Sequence, residues 1–489
     1  MNLENDYGRL SGTLYTRLDP VPVVAPRLIK FNEALATELR LELNSSDPEH
    51  LARIFSGNEK LPGSQPIALA YAGHQFGSFV PRLGDGRAVL LGEARDHRGI
   101  LKDIQLKGAG RTVYSRGGDG RAALGPVLRE YLVSEAMTAM GIPSTRSLAA
   151  VWTGERVSRG PSSLPGAILT RVASSHVRVG TFQYLAAQGD TQTLRSLADY
   201  VIDRYYPEAR ISDTPYRRLL DLVVDRQAVL IAQWMKVGFI HGVMNTDNTS
   251  VVGETIDYGP CAFMDAYDPQ AVFSSIDQNG RYSFSNQPAI AQWNLARFAE
   301  TLLPLFGAEQ DQSIALATES INAYSAKFEQ EWLRAMRSKV GLLQAQPEDE
   351  DLINALLEVM HRTQADYTVT FWGLAEYLER DRSGLGVVEA LRDHADFQVW
   401  LRRWEERGAQ ESESSTVRFD TMRRANPRYI PRNHRIEEVI EAATIEEDFA
   451  PFEALLEVIV RPFDEQPSAA AYAVPPRPDQ RVLETFCGT

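Results

Sequence analysis

The sequence predicts an α+β protein built as a strand-rich N-terminal lobe, a helical C-terminal lobe and a helical extension. Three observations lead there. Up to about residue 185 the apolar runs are short, strand-like and punctuated by Gly and Pro, with one helical pattern among them. From about residue 186 the periodicity turns helical and stays so. Between these parts and their chemistry lies one polar loop, "HGVMNTDNTSVVGETIDYG", directly after the most apolar helix.

The elements follow in order. "RAVLLGEARD" and "GILKDIQLKG" read as two strands joined by a turn at Asp96 to Gly99. "GPVLREYLVSEAMTAMG" has Pro126 near its start, Gly141 just past its end and Pro143 beyond, the start and stop signals of a helix. "SLAAVWTGERVSRG" and "GAILTRVASSH" read as further strands. "YRRLLDLVVDRQAVLIAQWMKVG" is apolar on most faces, which predicts a buried helix ending at Gly238. After it, "TSVV", Gly253-Glu254 and "TIDY" suggest a short hairpin. "QWNLARFAETLLPLF" and "DLINALLEVMHRTQ" are helical. Residues 406–416, "ERGAQESESST", read as a polar solvated loop, and "YAVPPRPDQ" as an extended piece near the end. The expected domains are 1–185, an N-lobe that binds phosphates; 186–340, a C-lobe with the catalytic and metal-binding loop; and 341–489, a helical extension with a cysteine-containing tail. Strand lobe, single helix, then helical lobe is the order of a two-lobed protein-kinase-like fold, an order other α+β proteins share.

Composition narrows the function. The chain has 489 residues, 44% hydrophobic and 24% charged, with a net charge of −14. Such an acidic chain is a poor general binder of nucleic acid or anionic membrane. No apolar run has membrane-spanning length, and "MNLENDYGRL" lacks the plan of a secretory signal or a transit peptide, so a cytoplasmic protein is expected. Two cysteines, Cys261 and Cys487, are too few for a disulfide framework or a structural zinc site.

The polar loop carries the chemistry. A kinase catalytic loop reads H-x-D, four residues, then Asn, with D-F-G further on. Here His241 and Asn248 keep the spacing, and Asp257-Tyr258-Gly259 stands in for D-F-G, but Val243 occupies the position of the catalytic Asp and cannot accept a proton. An Asn and an Asp so arranged suit Mg²⁺, a hard cation that takes few protein ligands plus phosphates and water. Asp247, beside Asn248, is a candidate base for an incoming hydroxyl. An Asx-rich turn capped by its own side chains would read similarly. Upstream, "RLGDGRAVLLGE" offers Gly84 and Gly86 in a Gly-x-Gly turn and Arg87 as a phosphate partner, although alone this is also how a plain tight turn reads. Lys107 ends a strand, and Glu130 lies on a partly apolar helix face, so either the two pair as in kinases or Glu130 is solvated. Asp119 and Gly120 sit in a second glycine-rich loop. Arg171 and Arg178 have no role unless a polyphosphate lies nearby.

Together, "YAGHQFGSFVPRLGDGR", "LKGAGRTVYSRGGDGRAAL", "TRVASSHVRVGTFQ", "HGVMNTDNTSV", "IDYGP" and "NPRYIPRNH" make the whole chain resemble the selenoprotein O (YdiU-like) family of kinase-fold protein adenylyltransferases. The resemblance implies that ATP binds flipped relative to an ordinary kinase. Its α-phosphate then faces the acceptor, and AMP passes to a Ser, Thr or Tyr hydroxyl of a protein. It further implies that Gly84, Gly86, Arg87, Lys107, Asp119, Gly120, Arg171 and Arg178 bind the nucleotide. Asn248 and Asp257 would hold Mg²⁺, with Mn²⁺ as a candidate substitute, Asp257 also meeting the nucleotide. Asp247 would be the proton acceptor, and Glu130 would pair with Lys107. The resemblance implies protein substrates bearing Ser, Thr or Tyr acceptors; neither nucleic acid nor membrane is expected as a partner, and the enzyme is expected to be a monomer. The family carries selenocysteine or Cys third from the end, where this chain has Cys487; in some bacterial relatives that Cys bonds one in the activation segment. Here Ser274 and Ser275 stand where the partner is expected, and the other cysteine, Cys261, reads either as a substitute partner or as a small buried apolar residue. Two other readings compete. A small-molecule kinase is echoed by His241-Gly242 but lacks a base at Val243. A nucleotide-binding pseudokinase scaffold would have no need of the metal residues.

Overall fold

The computed structural model describes residues 2–160, 162–379, 391 and 393–486. It is a mixed α/β protein, with a β-sheet lobe and many helices. The strands are β1 (Tyr15–Arg17), β2 (Arg27–Phe31), β3 (Ile67–Leu69), β4 (Gly73–Gln75), β5 (Ser78–Val80), β6 (Ala88–Arg95), β7 (Leu101–Lys107), β8 (Ala122–Ala123), β9 (Arg146–Arg159), β10 (Ser162–Ala173), β11 (Phe239–Ile240) and β12 (Ala262–Phe263). The main sheet runs β1-β3-β6-β7-β10-β9-β2, with β8 beside β10, while β4–β5 and β11–β12 form separate antiparallel pairs.

Alternation along the strands sorts the two faces. Ile104 and Leu106 of β7 and Ile168 and Val172 of β10 point into an apolar core shared with the helix Pro48–Phe55. Gln105 and Lys107, and Leu169 and Arg171, therefore share the opposite face, with Arg171 in register with Gln105 and Leu169 with Lys107. That face meets the helix Leu124–Ala139, which ends at Gly141 with φ +77° as its Gly and Pro signals predict. This helix is buried on nearly every side. Its outer surface is covered by the C-terminal segment: Phe452 lies edge-on to Tyr131 at 5.5 Å, and Glu437 pairs with Arg129. The chain after residue 430 thus braces the helix that bears Glu130.

The long helix Pro215–Val237 ends at Gly238 with φ +72°, as expected. Among the described residues no helix is long and apolar enough to cross a membrane. Two local expectations are overturned. "TSVV" and "TIDY" do not form a hairpin, because each arm bonds a different neighbour. Thr249 O accepts from Val179 N (2.9 Å) and Val251 N donates to Val177 O (3.2 Å), whereas Thr255 exchanges bonds with Thr145 and Pro143 (2.9 Å each). The loop expected at 406–416 is shorter: helices Ala395–Gly408 and Ser415–Ala425 take both ends. Arg407 is buried there, bonding Asp349 and Glu411 at 2.8 Å each.

Candidate active site

Lys107 Nζ, at the end of β7, donates to Glu130 Oε2 at 2.6 Å and to Asp257 Oδ1 at 2.9 Å. Arg171, one strand over, donates to Asp257 Oδ1 (2.5 Å), Glu130 Oε1 (3.3 Å) and Gln105 Oε1 (2.5 Å). Arg178 bonds the other oxygen of Asp257 and the Asp247 carbonyl (2.5 Å). Its guanidinium lies 4.8 Å from the centre of the Tyr71 ring. Three cations therefore surround two carboxylates. Burial opposes the charged form of Asp257, yet Arg178, Lys107 and Arg171 hold its carboxyl well below the usual range. Burial likewise opposes the charge of Arg171, and Asp257 and Glu130 more than restore it.

Asp257 has φ +64°, in the left-handed region that Asp tolerates better than bulkier residues. His241 helps to fix it there. Its Nε2 donates to the Ile256 carbonyl (2.9 Å), and its ring stacks on Trp234 at 5.3 Å. Val243 is buried, and its carbonyl accepts from Asn248 Nδ2 at 2.9 Å. That bond commits the amide donor of Asn248 and leaves its oxygen as the available acceptor. Asp247 is 7% exposed. Its Oδ2 accepts from Gln75 Nε2 at 3.2 Å, and its buried Oδ1 has no hydrogen-bond partner. Burial pushes its pKa up to about 6, against the pull of Arg178.

Tyr71, Gln75, Lys107, Arg171, Arg178, Val243, Asp247, Asn248 and Asp257 line one cleft of about 620 Å³, with Glu130 bonded to Lys107 behind its wall. Gly84, Gly86, Arg87, Asp119 and Gly120 line it too. The glycines act differently from the sequence expectation. Gly84 N already donates to Tyr71 O (3.1 Å) and Gly86 N to Gly84 O (2.9 Å), so these donors are committed inside the turn. What the glycines permit is close approach: a Cβ at Gly84 would lie 2.3 Å from the Tyr114 ring, and one at Gly120 2.1 Å from Gly110 O. The two glycine-rich loops are thereby pressed together at the cleft wall. Asp119 sits at the rim, bonded to Arg159 Nη1 (2.9 Å) and Arg121 N (2.9 Å).

Sequence reasoning missed three polar residues. Gln105 Nε2 donates to Asp85 Oδ2 (3.0 Å) while Gln105 Oε1 takes Arg171, so Gln105 locks the guanidinium in place. Burial raises the pKa of Asp85. Gln105 lies two residues before Lys107 on the same strand face, a signal that was readable. Gln75, which holds Asp247, is far away in sequence and gave none. The tail approaches the same region: Thr485 Oγ1 donates to Pro260 O (2.7 Å), and Ser275 N donates to Thr485 O (3.1 Å). Cys261 is fully buried, its thiol pushed up to about 12 by burial. Cys487 lies outside the described residues, and with it the alternative in which Cys261 is its partner.

Among the described residues no group of three or more His, Cys, Asp or Glu could hold a metal by itself. One carboxylate and one amide oxygen suit a metal that completes its shell with phosphates and water, as Mg²⁺ does.

A cleft with cations gathered on a paired carboxylate is suited to the phosphates of a nucleotide, and comparison with known proteins makes the chain a nucleotidyltransferase. The family described as "Protein adenylyltransferase SelO" matches residues 1–460. A protein nucleotidyltransferase YdiU of Rhizobium rhizogenes is 57% identical over 486 residues, covering 99% of this chain and 96% of its own length. Proteins of the same name from Rhizobium meliloti and a Bradyrhizobium species are 55% and 56% identical, each over 99% of both chains. The chain belongs to the SelO family.

Proposed function

We propose that this enzyme transfers AMP from ATP to Ser, Thr or Tyr hydroxyls of protein substrates, in the interlobe cleft of a kinase-like fold, with ATP flipped so that its α-phosphate faces Asp247. The observation that carries the reading is the state of Asp247. The residue lines the cleft, one carboxylate oxygen is held by Gln75, and the other is buried beside Gly73 with no hydrogen-bond partner. A carboxylate with one fixed and one vacant oxygen is arranged to take a proton.

The Asp247 carboxylate accepts the proton of the acceptor hydroxyl. The hydroxyl oxygen forms a bond to the α-phosphorus, the bond from that phosphorus to the bridging oxygen of the β-phosphate breaks, and pyrophosphate leaves with the electron pair. Lys107, Arg171 and Arg178 offset the charge that builds on the departing phosphates, Glu130 and Gln105 keeping the first two aimed. Arg87, Asp119 and the turns at Gly84, Gly86 and Gly120 form the rest of the nucleotide wall. Asn248 and Asp257 would hold Mg²⁺, which would supply Lewis-acid polarisation of the phosphates.

Kinase-type γ-transfer is disfavoured by Val243: its side chain is apolar, and its carbonyl is taken by Asn248. Product analysis separates the two, because AMP transfer releases pyrophosphate and γ-transfer releases ADP. Labelled protein with ADP as the sole by-product sinks the proposal.

A further inference from the structure

The hairpin β4–β5 borders the cleft, yet nucleotide binding gives it no work. Its turn is Phe76-Gly77, with φ of +51° and +84°. This is the geometry of a two-residue hairpin turn that Asn-Gly fits best, and a bulky residue at the first position is strained. Phe76 is nonetheless there, 36% exposed and lining the cleft. It is held firmly. Phe76 N donates to Asn245 Oδ1 (3.0 Å), which also accepts from Tyr282 OH (2.6 Å), and the Phe76 and Tyr282 rings lie 5.1 Å apart.

One residue earlier, Gln75 holds Asp247 Oδ2. Gly73 is required at the hairpin's start, because a Cβ there would lie 2.7 Å from Asp247 Oδ1. The hairpin therefore shapes the space around the vacant oxygen. Ile276, 56% exposed, lines the same cleft. Beside Gly77 the Arg281 guanidinium stacks on Trp293 at 4.9 Å, and its buried Nε has no partner. The Tyr282 contact offsets only part of the cost of a strained residue that stays 36% exposed. A partner that covers it offsets both costs, and the half-buried Arg281 cation next to it, which stacks on rings rather than on a carboxylate, favours an acidic partner.

We propose that this hairpin recognises the acceptor protein. Phe76 and Ile276 receive an apolar side chain beside the acceptor hydroxyl, Arg281 receives an acidic one, and Gln75 keeps Asp247 aimed at the hydroxyl. The substrate class is thus a protein segment whose hydroxyl residue is flanked by apolar and acidic neighbours. This rests on the AMP-transfer reading above.

The test uses the full chain, α-labelled ATP and two synthetic peptides that differ only beside a central serine. One has Leu before it and Asp after it, the other Gly at both places. The expected result is a kcat/KM at least about tenfold higher for the Leu/Asp peptide, the worth of covering one apolar side chain. Phe76→Ala should abolish that preference through KM for the peptide, with KM for ATP unmoved. Phe79→Ala removes the same side chain from the same hairpin, but Phe79 is 42% exposed outside the cleft lining, so the preference should survive. Equal transfer to both peptides, label on the chain itself but on neither peptide, or equal damage from Phe76→Ala and Phe79→Ala overturns the proposal. Label reaching nothing from α-labelled ATP, yet reaching protein from γ-labelled ATP, overturns the underlying reading instead.

Discussion

Replacing Asp257 with Asn separates nucleotide binding from chemistry. Asn is the right choice because φ at this position is +64°, a conformation Asn tolerates, so the backbone strain that Ala would add is avoided. The parent cluster sets Lys107, Arg171 and Arg178 against Glu130 and Asp257, three positive charges against two negative. Asp257→Asn leaves three against one. Breaking a buried charge pair from one side costs about 3–5 kcal/mol. The Asp257 side chain is 19% exposed and Asn retains a carbonyl acceptor, so about 2–3 kcal/mol of stability is the expected loss. A cleft richer in positive charge should bind ATP as well as the parent or more tightly. Transfer should collapse by at least about a hundredfold, ~2.7 kcal/mol, because the carboxylate proposed to hold the metal is gone. Titration calorimetry reads the first quantity, and transfer from α-labelled ATP the second. A variant transferring within tenfold of the parent refutes the role given to Asp257, and one that loses ATP binding in step with transfer refutes the charge argument for binding.

Three further outcomes follow from the same geometry. Gln75→Leu frees Asp247 Oδ2, so kcat should fall about tenfold, one charge-assisted hydrogen bond, while KM for ATP holds; a change confined to KM for ATP would contradict the positioning role. Asp103 accepts from His176 N (2.9 Å) and Arg204 Nη2 (3.0 Å). Burial opposes its charge, but Arg204 and His176 hold its carboxyl below the usual range. Its contribution is therefore complete above the unfolded value of about 4 and disappears as pH falls through the lower folded value. Asp103→Asn should cost about 3 kcal/mol in urea unfolding at pH 7, and the two proteins should converge in acid; a gap that widens with acid would reverse the sign. Cys261, buried with its thiol raised to about 12, should resist iodoacetamide at pH 8 until the chain is unfolded, and rapid native alkylation would contradict its burial.

Much of the fold was legible because its signals are local. The strands β6, β7, β9 and β10 show as apolar runs between turns, and the helices Leu124–Ala139 and Pro215–Val237 carry their own Gly and Pro stops. What was misread depends on distant partners. The arms around Gly253 looked like a hairpin because no local pattern reveals that Thr145 and Val179 take their hydrogen bonds. Arg407 looked solvated because Asp349, its partner, is far away in sequence. The site divides the same way. Lys107 was legible at the end of its strand, Arg171 took a role only from the family resemblance, and Gln105 was readable as sharing the face of Lys107. Gln75 reaches Asp247 only through folding. Gly84 and Gly86 read in the sequence as turning N–H groups toward phosphate; in the fold they make room for Tyr114, with their own N–H groups already bonded.

The most direct test of AMP transfer is to incubate the protein with Mg²⁺ and a protein acceptor, supplying ATP labelled at either the α- or the γ-phosphate. Asp247 as base and the cations on the leaving phosphates predict label on the acceptor hydroxyl from the α-position alone. Label that reaches the acceptor only from the γ-position contradicts it.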